Sequence, residues 1–389
     1  MRSGICCAFF LVFLLSGSLT PAEVLLNRAD LATPGSGDSE AYGINDIGQV
    51  AGVADLAGGD WHAFLWQNGT MQDLGTLAGG TWSEAYGIND AGQVAGVAGT
   101  ATGDRHAFLW QNGTMRDLGT LGGAESEARG INNAGWITGT AATTSGGWRA
   151  FLWRDETMLD LGTLGGVDSE AYAINNAGWI AGAAGTVSGD WHAFLRQNGT
   201  TLDLGTLGGT WSEAYAINEA GQVVGVSETA SGDWHAFLWQ DGAMLDLGTL
   251  GGAESEAYGI NDAGQIVGGS YTTAGDWHAF LWQDGTMHDL GTLGGNTSVA
   301  SAINNAGQAA GGADTAADAF WHASLFTYIL RGDVNLNGVV ALEDAILALQ
   351  VVTGTSSASR ASKLGDIDAD GRVGLAEAVH ALQTAAGLR

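Results

Sequence analysis

Apolar and polar positions alternate along most of this chain in short runs, and the runs recur as a block. From Asp30 to about Phe326 a pattern of 43 residues repeats with small edits, and it is plainest from Asp246 to Trp282. The isoleucine of an Ile-Asn core falls at Ile44, Ile88, Ile131, Ile174, Ile217, Ile260 and Ile303. The run that follows it starts at His62, His106, Arg149, His192, His235, His278 and His322, which makes seven units. Within a unit the alternation predicts four strands separated by turn residues. The first is SEAYGIN, closed by an Asn/Asp-x-Gly turn such as Asn261 to Gly264, and the second is GQIVGG and its relatives. The third, WHAFLW, puts His, Phe and Trp on one face and Trp, Ala and Leu on the other. Gln-Asn-Gly-Thr then predicts a two-residue hairpin, because Asn-Gly tolerates positive φ, and TMxDLG is the fourth strand.

Four antiparallel strands in such a unit match one blade of a β-propeller, whose sheets bury their faces against one another. The ends of the pattern sharpen this. The chain opens with a fourth strand, Glu23 to Leu31, in which Asp30 and Leu31 align with Asp73 and Leu74. The seventh unit stops after its third strand, HASLF. The leading strand therefore completes the last blade and removes the exposed edges. The expected fold is all-β, a seven-bladed β-propeller closed by the N-terminal strand, followed by a small α-helical module; an open β-solenoid is the alternative. GTWSEAY at Gly80 to Tyr86 recurs at Gly209 to Tyr215, and GGAESEA at Gly122 to Ala128 recurs at Gly251 to Ala257. Both offsets equal three units, the mark of a duplicated three-blade block.

The triplet at His62, Ala63 and Phe64, repeated along 23–331, resembles the bacterial extracellular HAF repeat family, a resemblance that implies architecture and no chemistry. Two features place the chain outside the cell. Arg2, the apolar run from Ile5 to Leu15 and the small-residue stretch to Ala22 have the layout of a secretory signal over 1–22, with an apolar run too short to span a bilayer. Cys6 and Cys7 both lie in that leader, so the mature chain is expected to hold no thiol. The formal charge of −29 becomes −30 once Arg2 leaves with the leader. A surface so acidic repels nucleic acid and anionic lipid, which excludes nucleic-acid binding.

At Gly332 the period breaks. Asp333, Asn335, Asn337, Gly338 and Asp344 occupy positions 1, 3, 5, 6 and 12 of an EF-hand-type loop, and Asp366, Asp368, Asp370, Gly371 and Glu377 repeat the spacing. Oxygen ligands alternate along such a loop, the glycine permits its turn, and the backbone carbonyls of Val339 and Arg372 take position 7. A segment of helical periodicity follows each loop and ends at a glycine. One helix per loop over 332–389 resembles the dockerin module of bacterial extracellular proteins, which implies two Ca2+ ions and a cohesin partner on a scaffold or cell surface. The pattern departs from that family at Ala341 and Gly374, where a side-chain ligand is common, and at Leu342, Glu343, Leu375 and Ala376.

No spacing of catalytic type stands out. Histidines at the HAF position read as packing or local hydrogen bonding, since equivalent positions in neighbouring blades lie about 10 Å apart. The recurrent Glu40, Glu84, Glu127, Glu170, Glu213 and Glu256 read as blade-to-blade hydrogen bonding, or calcium at most, because an active site breaks the symmetry of its repeats. Asp60, Asp104, Asp190, Asp233 and Asp276 sit in Gly-Asp turns and read the same way, while Asn68, Asn112 and Asn198 are turn residues first. The deviant positions carry more: Arg105, Arg129, Arg149, Arg154 and Arg196 depart from consensus in units two to four, and Trp136 and Trp179 replace a glutamine. Arg129, Trp136, Arg149, Arg154, Trp179 and Arg196 are the candidate ligand residues, a sector that would hold an anionic extracellular polysaccharide by stacking and forked hydrogen bonds. The function expected is a secreted calcium-binding display module, with a polysaccharide-degrading enzyme on the same scaffold as the alternative.

Overall fold

In the computed structural model the described residues are 25–31, 37–55, 59–316, 321–329, 345–347 and 379. Of the two compact units into which the chain divides, the larger contains Leu26–Tyr328. Its strands form seven successive antiparallel groups of four. The first group is Ser39–Ile44, Val50–Asp55, Trp61–Gln67 and Thr70–Asp73, paired in sequence order. The seventh is Gly294–Ile303, Gln308–Thr315 and Trp321–Ile329, with Leu25–Asp30 as its fourth strand. A single parallel bridge, Trp191 to Trp211, links the fourth group to the fifth.

Both faces of each sheet are apolar because each packs between two others. Leu65 and Leu74 of the first sheet share a core cluster with Val94 and Phe108 of the second. The third strand carries a phenylalanine at Phe64, Phe108, Phe151, Phe237 and Phe280, each essentially without exposure. The ring lies over a glycine of the second strand, as Phe237 lies opposite Gly225. A Cβ on Gly225 would come 1.8 Å from the Glu213 carbonyl oxygen, so the motif admits only glycine there. Asn68 and Gly69 take φ of 49° and 80°, the positive pair that the hairpin turn requires.

The ends meet. Leu31 N donates to Ala323 O at 2.9 Å, and His322 Nδ1 lies 2.9 Å from Asp30 Oδ2. Trp321 N donates to Asp38 Oδ1 at 2.6 Å, and Ala323 N to Ser39 Oγ at 3.0 Å, which joins the last sheet to the first. Leu31, Ala41, Val50 and Phe64 share one core cluster with Ala310 and Ala323. An open solenoid would leave these groups at opposite ends, so the sheets close in a propeller-like ring.

The first strand is longer than SEAYGIN in the third to seventh sheets, as in Gly122–Ile131. Its Gly-Gly entry allows the close approach: a Cβ on Gly123 would lie 2.6 Å from Ala142 Cβ. Register shifts before Ser126 and after Ala128 absorb the extra residues as bulges.

The leader at 1–22 lies outside the described residues. So do all the expected calcium ligands, Asp333, Asn335, Asn337, Val339, Asp344, Asp366, Asp368, Asp370, Arg372 and Glu377. In the C-terminal segment, 345–347 and 379 are helical. Among the described residues no helix is long and apolar enough to cross a membrane.

Candidate functional site

The most repeated polar residues are consumed by the architecture. His62 Nδ1 lies 3.0 Å from the Asp73 carboxylate of its own sheet, and His106, His192, His235 and His278 pair with Asp117, Asp203, Asp246 and Asp289 in the same way. Asp73 Oδ1 also accepts from Gly75 N at 2.7 Å, which fixes the turn leaving the fourth strand. A second device staples one sheet to the next: Ser83 Oγ accepts from Ala63 N at 2.9 Å and donates to Gly75 O at 2.6 Å. The turn aspartates bond within their own turns rather than between blades, Asp104 accepting from Thr102 Oγ1 at 2.7 Å and Asp190 from Ser188 Oγ at 2.5 Å. Among the described residues no three His, Cys, Asp or Glu side chains converge as a metal site.

The first strands face their counterparts around the middle of the ring in three layers. At one end, Asn45 Nδ2 donates to Asn89 O at 3.0 Å, and this bond is repeated sheet to sheet until Asn304 Nδ2 donates to Asn45 O at 3.0 Å. The Ile, the Asn and the residue after it from all seven sheets line a cavity of about 180 Å³. Next comes a tyrosine layer in which neighbours touch in varied geometries: Tyr172 and Tyr215 meet edge to face with centroids 5.2 Å apart, whereas Tyr215 and Tyr258 stack at 5.6 Å. The glutamate layer follows. Its members bond chiefly within their own strand, Tyr86 OH donating to Glu84 Oε2 at 2.6 Å, rather than between blades as expected. A period-2 strand places residues two apart on one face, so Tyr reaches back to Glu. The exception is Glu213, to which Tyr172 OH and Trp191 Nε1 of the preceding sheet both donate, at 3.2 and 3.1 Å. Burial raises the carboxyls of Glu40, Glu127 and Glu256 above their usual range. It likewise raises the tyrosine hydroxyls, which stay neutral. Val299 and Ser301 replace Glu and Tyr in the seventh sheet.

At the opposite end of the strands from the asparagine turns lies a rim of tryptophans. Trp191 opens the third strand of the fourth sheet, Trp211 lies in the first strand of the fifth, and Trp234 opens its third strand. Trp191 and Trp211 have centroids 5.6 Å apart at 32°, and Trp211 and Trp234 are 6.3 Å apart at 66°. Both Trp191 Nε1 and Trp211 Nε1 donate to Glu213 Oε1 at 3.1 Å, so one carboxylate fixes two indoles. Trp211 is 39% exposed. The sequence held a sign of this row, the GTWSEAY run placed beside a Trp-opened third strand, but not its convergence.

The six residues expected to form one ligand sector are dispersed. Four stand at strand ends on the asparagine side: the Arg154 guanidinium lies 5.1 Å from the Trp136 ring, Trp179 packs into the core, and Arg196 donates to Leu161 O at 3.2 Å and Thr201 Oγ1 at 2.9 Å. Arg149 is at the other end, donating to the carbonyls of Trp148 and Val167, with Asp160 and Asp168 at 4.0 and 3.9 Å. Arg129 takes a tyrosine's place in the middle layer, 4.6 Å over Tyr86 and paired to Glu127 at 2.5 Å. Burial works against its charge, but Glu127 together with Tyr86, Tyr172 and Glu170 outweighs this and raises it. Antiparallel return separates residues that sequence counts as neighbours, and each of the six is engaged by the fold itself.

No family model matches the chain, and no curated protein matches it. Solved structures do resemble it. A puromycin hydrolase mutant complexed with PGG is 13% identical with a TM-score of 0.50, over 72% of this chain and 51% of that one. The WD40 β-propeller domain of Doa1 is 13% identical with a TM-score of 0.48, over 77% and 96%. TolB from Acinetobacter baumannii is 14% identical with a TM-score of 0.44, over 73% and 67%. At these identities the likeness is one of fold, repeated four-stranded propeller sheets, and the chain spans about half of the hydrolase.

Proposed function

We propose that this protein is an extracellular binding and display module: a seven-bladed β-propeller that retains carbohydrate on its tryptophan rim, with a C-terminal dockerin-like tail for attachment. The observation that carries the reading is the division of labour among repeated residues. Histidines, aspartates and serines are spent on holding sheets together, whereas Trp211 stands 39% exposed and is fixed in place by Glu213. An indole held rigid at a surface offers stacking area at low entropic cost.

The tail belongs to the same reading through its spacing. Two loops of alternating oxygen ligands, from Asp333 and from Asp366, support two Ca2+ ions, and the single helix after each supports a cohesin-type partner on a scaffold or cell surface. The leader supports secretion.

A glycan array with a hydrolysis screen on the same sugars tests the whole. Retention without turnover is the expected result. Turnover of any retained glycan would establish the polysaccharide-degrading alternative, and an array without retention would remove the carbohydrate reading.

A further inference from the structure

The tryptophan row is not repeated evenly round the ring, and its surroundings are electrically one-sided. From Gln197 to Leu330 the sequence holds no lysine or arginine and 15 aspartates and glutamates. Glu228 flanks the row, and Glu254 holds the repeat position of Trp211 one sheet on. Glu228 lies across the strand pair from Trp234, its Oε2 accepting from Thr210 N at 2.8 Å and Oγ1 at 3.0 Å. Glu213 itself is occupied, accepting two indole N–H groups and Tyr172 OH.

The chain also contains its own contrast. Trp61 and Trp82 repeat Trp191 and Trp211 at the junction of the first and second sheets, but the place of Trp234 is taken there by Arg105, paired to Glu125 at 3.1 Å. The two junctions share a pair of tryptophan positions and differ in charge.

From this arrangement we infer that Trp191, Trp211 and Trp234 form the ligand subsite and that it selects oligosaccharides bearing free amino groups. The inference rests on the carbohydrate reading and reverses the charge expected of the ligand. Sugar C–H faces stack on the indoles. A protonated amine is drawn both to the aromatic faces and to Glu228 and Glu254. A uronate meets repulsion, with no lysine or arginine in the fifth or sixth sheet.

Calorimetry on the full chain, with oligomers of glucosamine, N-acetylglucosamine, glucose and galacturonate, tests it. The glucosamine oligomer should bind most tightly and lose affinity as salt is raised. Trp211→Ala should weaken it roughly tenfold. Trp234→Arg, which installs the residue already tolerated at Arg105, should weaken it at least as much while the fold is kept, as read by far-UV circular dichroism. Equal affinity for the acetylated or glucose oligomer, preference for galacturonate, or indifference to both substitutions would overturn the inference. If the array retains other glycans and glucosamine oligomers fail to bind, the subsite inference falls and the carbohydrate reading stands. If nothing is retained, both fall.

Discussion

Ser255→Ala removes one oxygen from one of the staples between sheets. Ser255 is fully buried, its Oγ accepting from Ala236 N at 2.9 Å and donating to Gly248 O at 2.6 Å. Alanine leaves a buried N–H with no acceptor, a loss of about 1–3 kcal/mol, and removes a second bond of about 1 kcal/mol. The transfer of one methyl-sized group into the same space changes little, so the sum is roughly 2–4 kcal/mol. Urea unfolding followed by tryptophan fluorescence reads this as a lower midpoint at unchanged slope. Ser231→Ala is the control: its hydroxyl, on an exposed turn, donates to Asp233 Oδ2 at 2.8 Å, and its loss should stay within about 0.5 kcal/mol. If Ser255→Ala also fell within that margin, the claim that these serines join the sheets would be refuted.

Three further outcomes follow from the same structure. Gly225→Ala should be more damaging than Ser255→Ala, because its Cβ would sit 1.8 Å from Glu213 O, and loss of soluble monomer by size-exclusion chromatography is the readout. Burial, opposed in part by the Tyr258 hydrogen bond, raises the folded pKa of Glu256 above the 4.5 of the free side chain, so the native state holds its proton longer than the unfolded chain does. Stability from this group is therefore full below about pH 4.5 and falls as pH rises through the folded pKa. Glu256→Gln should accordingly gain melting temperature relative to the parent between acid and neutral pH, and parallel pH profiles would count against it. In the tail, Asp333→Ala with Asp366→Ala should abolish calcium uptake by calorimetry while tryptophan-reported melting of the ring is unchanged.

Period and turn chemistry made the fold legible before any coordinates. All four strands of a unit occur in the expected order, although the first reaches back to the Gly-Gly entry in the third to seventh sheets; Asn68 and Gly69 form the expected turn, and the alignment of Asp30 with Asp73 is realised as the His322 to Asp30 contact. The histidines, read as locally bonded, are so. What sequence could not disclose was proximity across the strand and around the ring. Arg149 and Arg154 are five positions apart in one strand and stand at its opposite ends. Trp191 and Trp211 are twenty apart in different sheets, yet their rings lie 5.6 Å apart. Substitutions were visible as departures from a repeat, but the departure alone does not say which rim a side chain reaches. The serine staples were hidden for another reason, since Ser83 looks like any polar residue in a strand and only its two backbone partners reveal its role.

Closure of the ring is the claim on which the sectors and the tryptophan row depend, and a distance across the seam tests it most directly. Ile47 and Ala306 occupy equivalent exposed turns of the first and seventh sheets, where Asn305 N donates to Asp46 Oδ1 at 2.9 Å. Spin labels on Ile47→Cys and Ala306→Cys, in a chain begun after the cysteine-bearing leader, report that separation by pulsed dipolar spectroscopy. A closed ring gives the same short distance as the neighbouring pair Ile47→Cys and Ala91→Cys. Six sheet spacings of about 10 Å, a separation near 60 Å, would mean an open row and contradict the account.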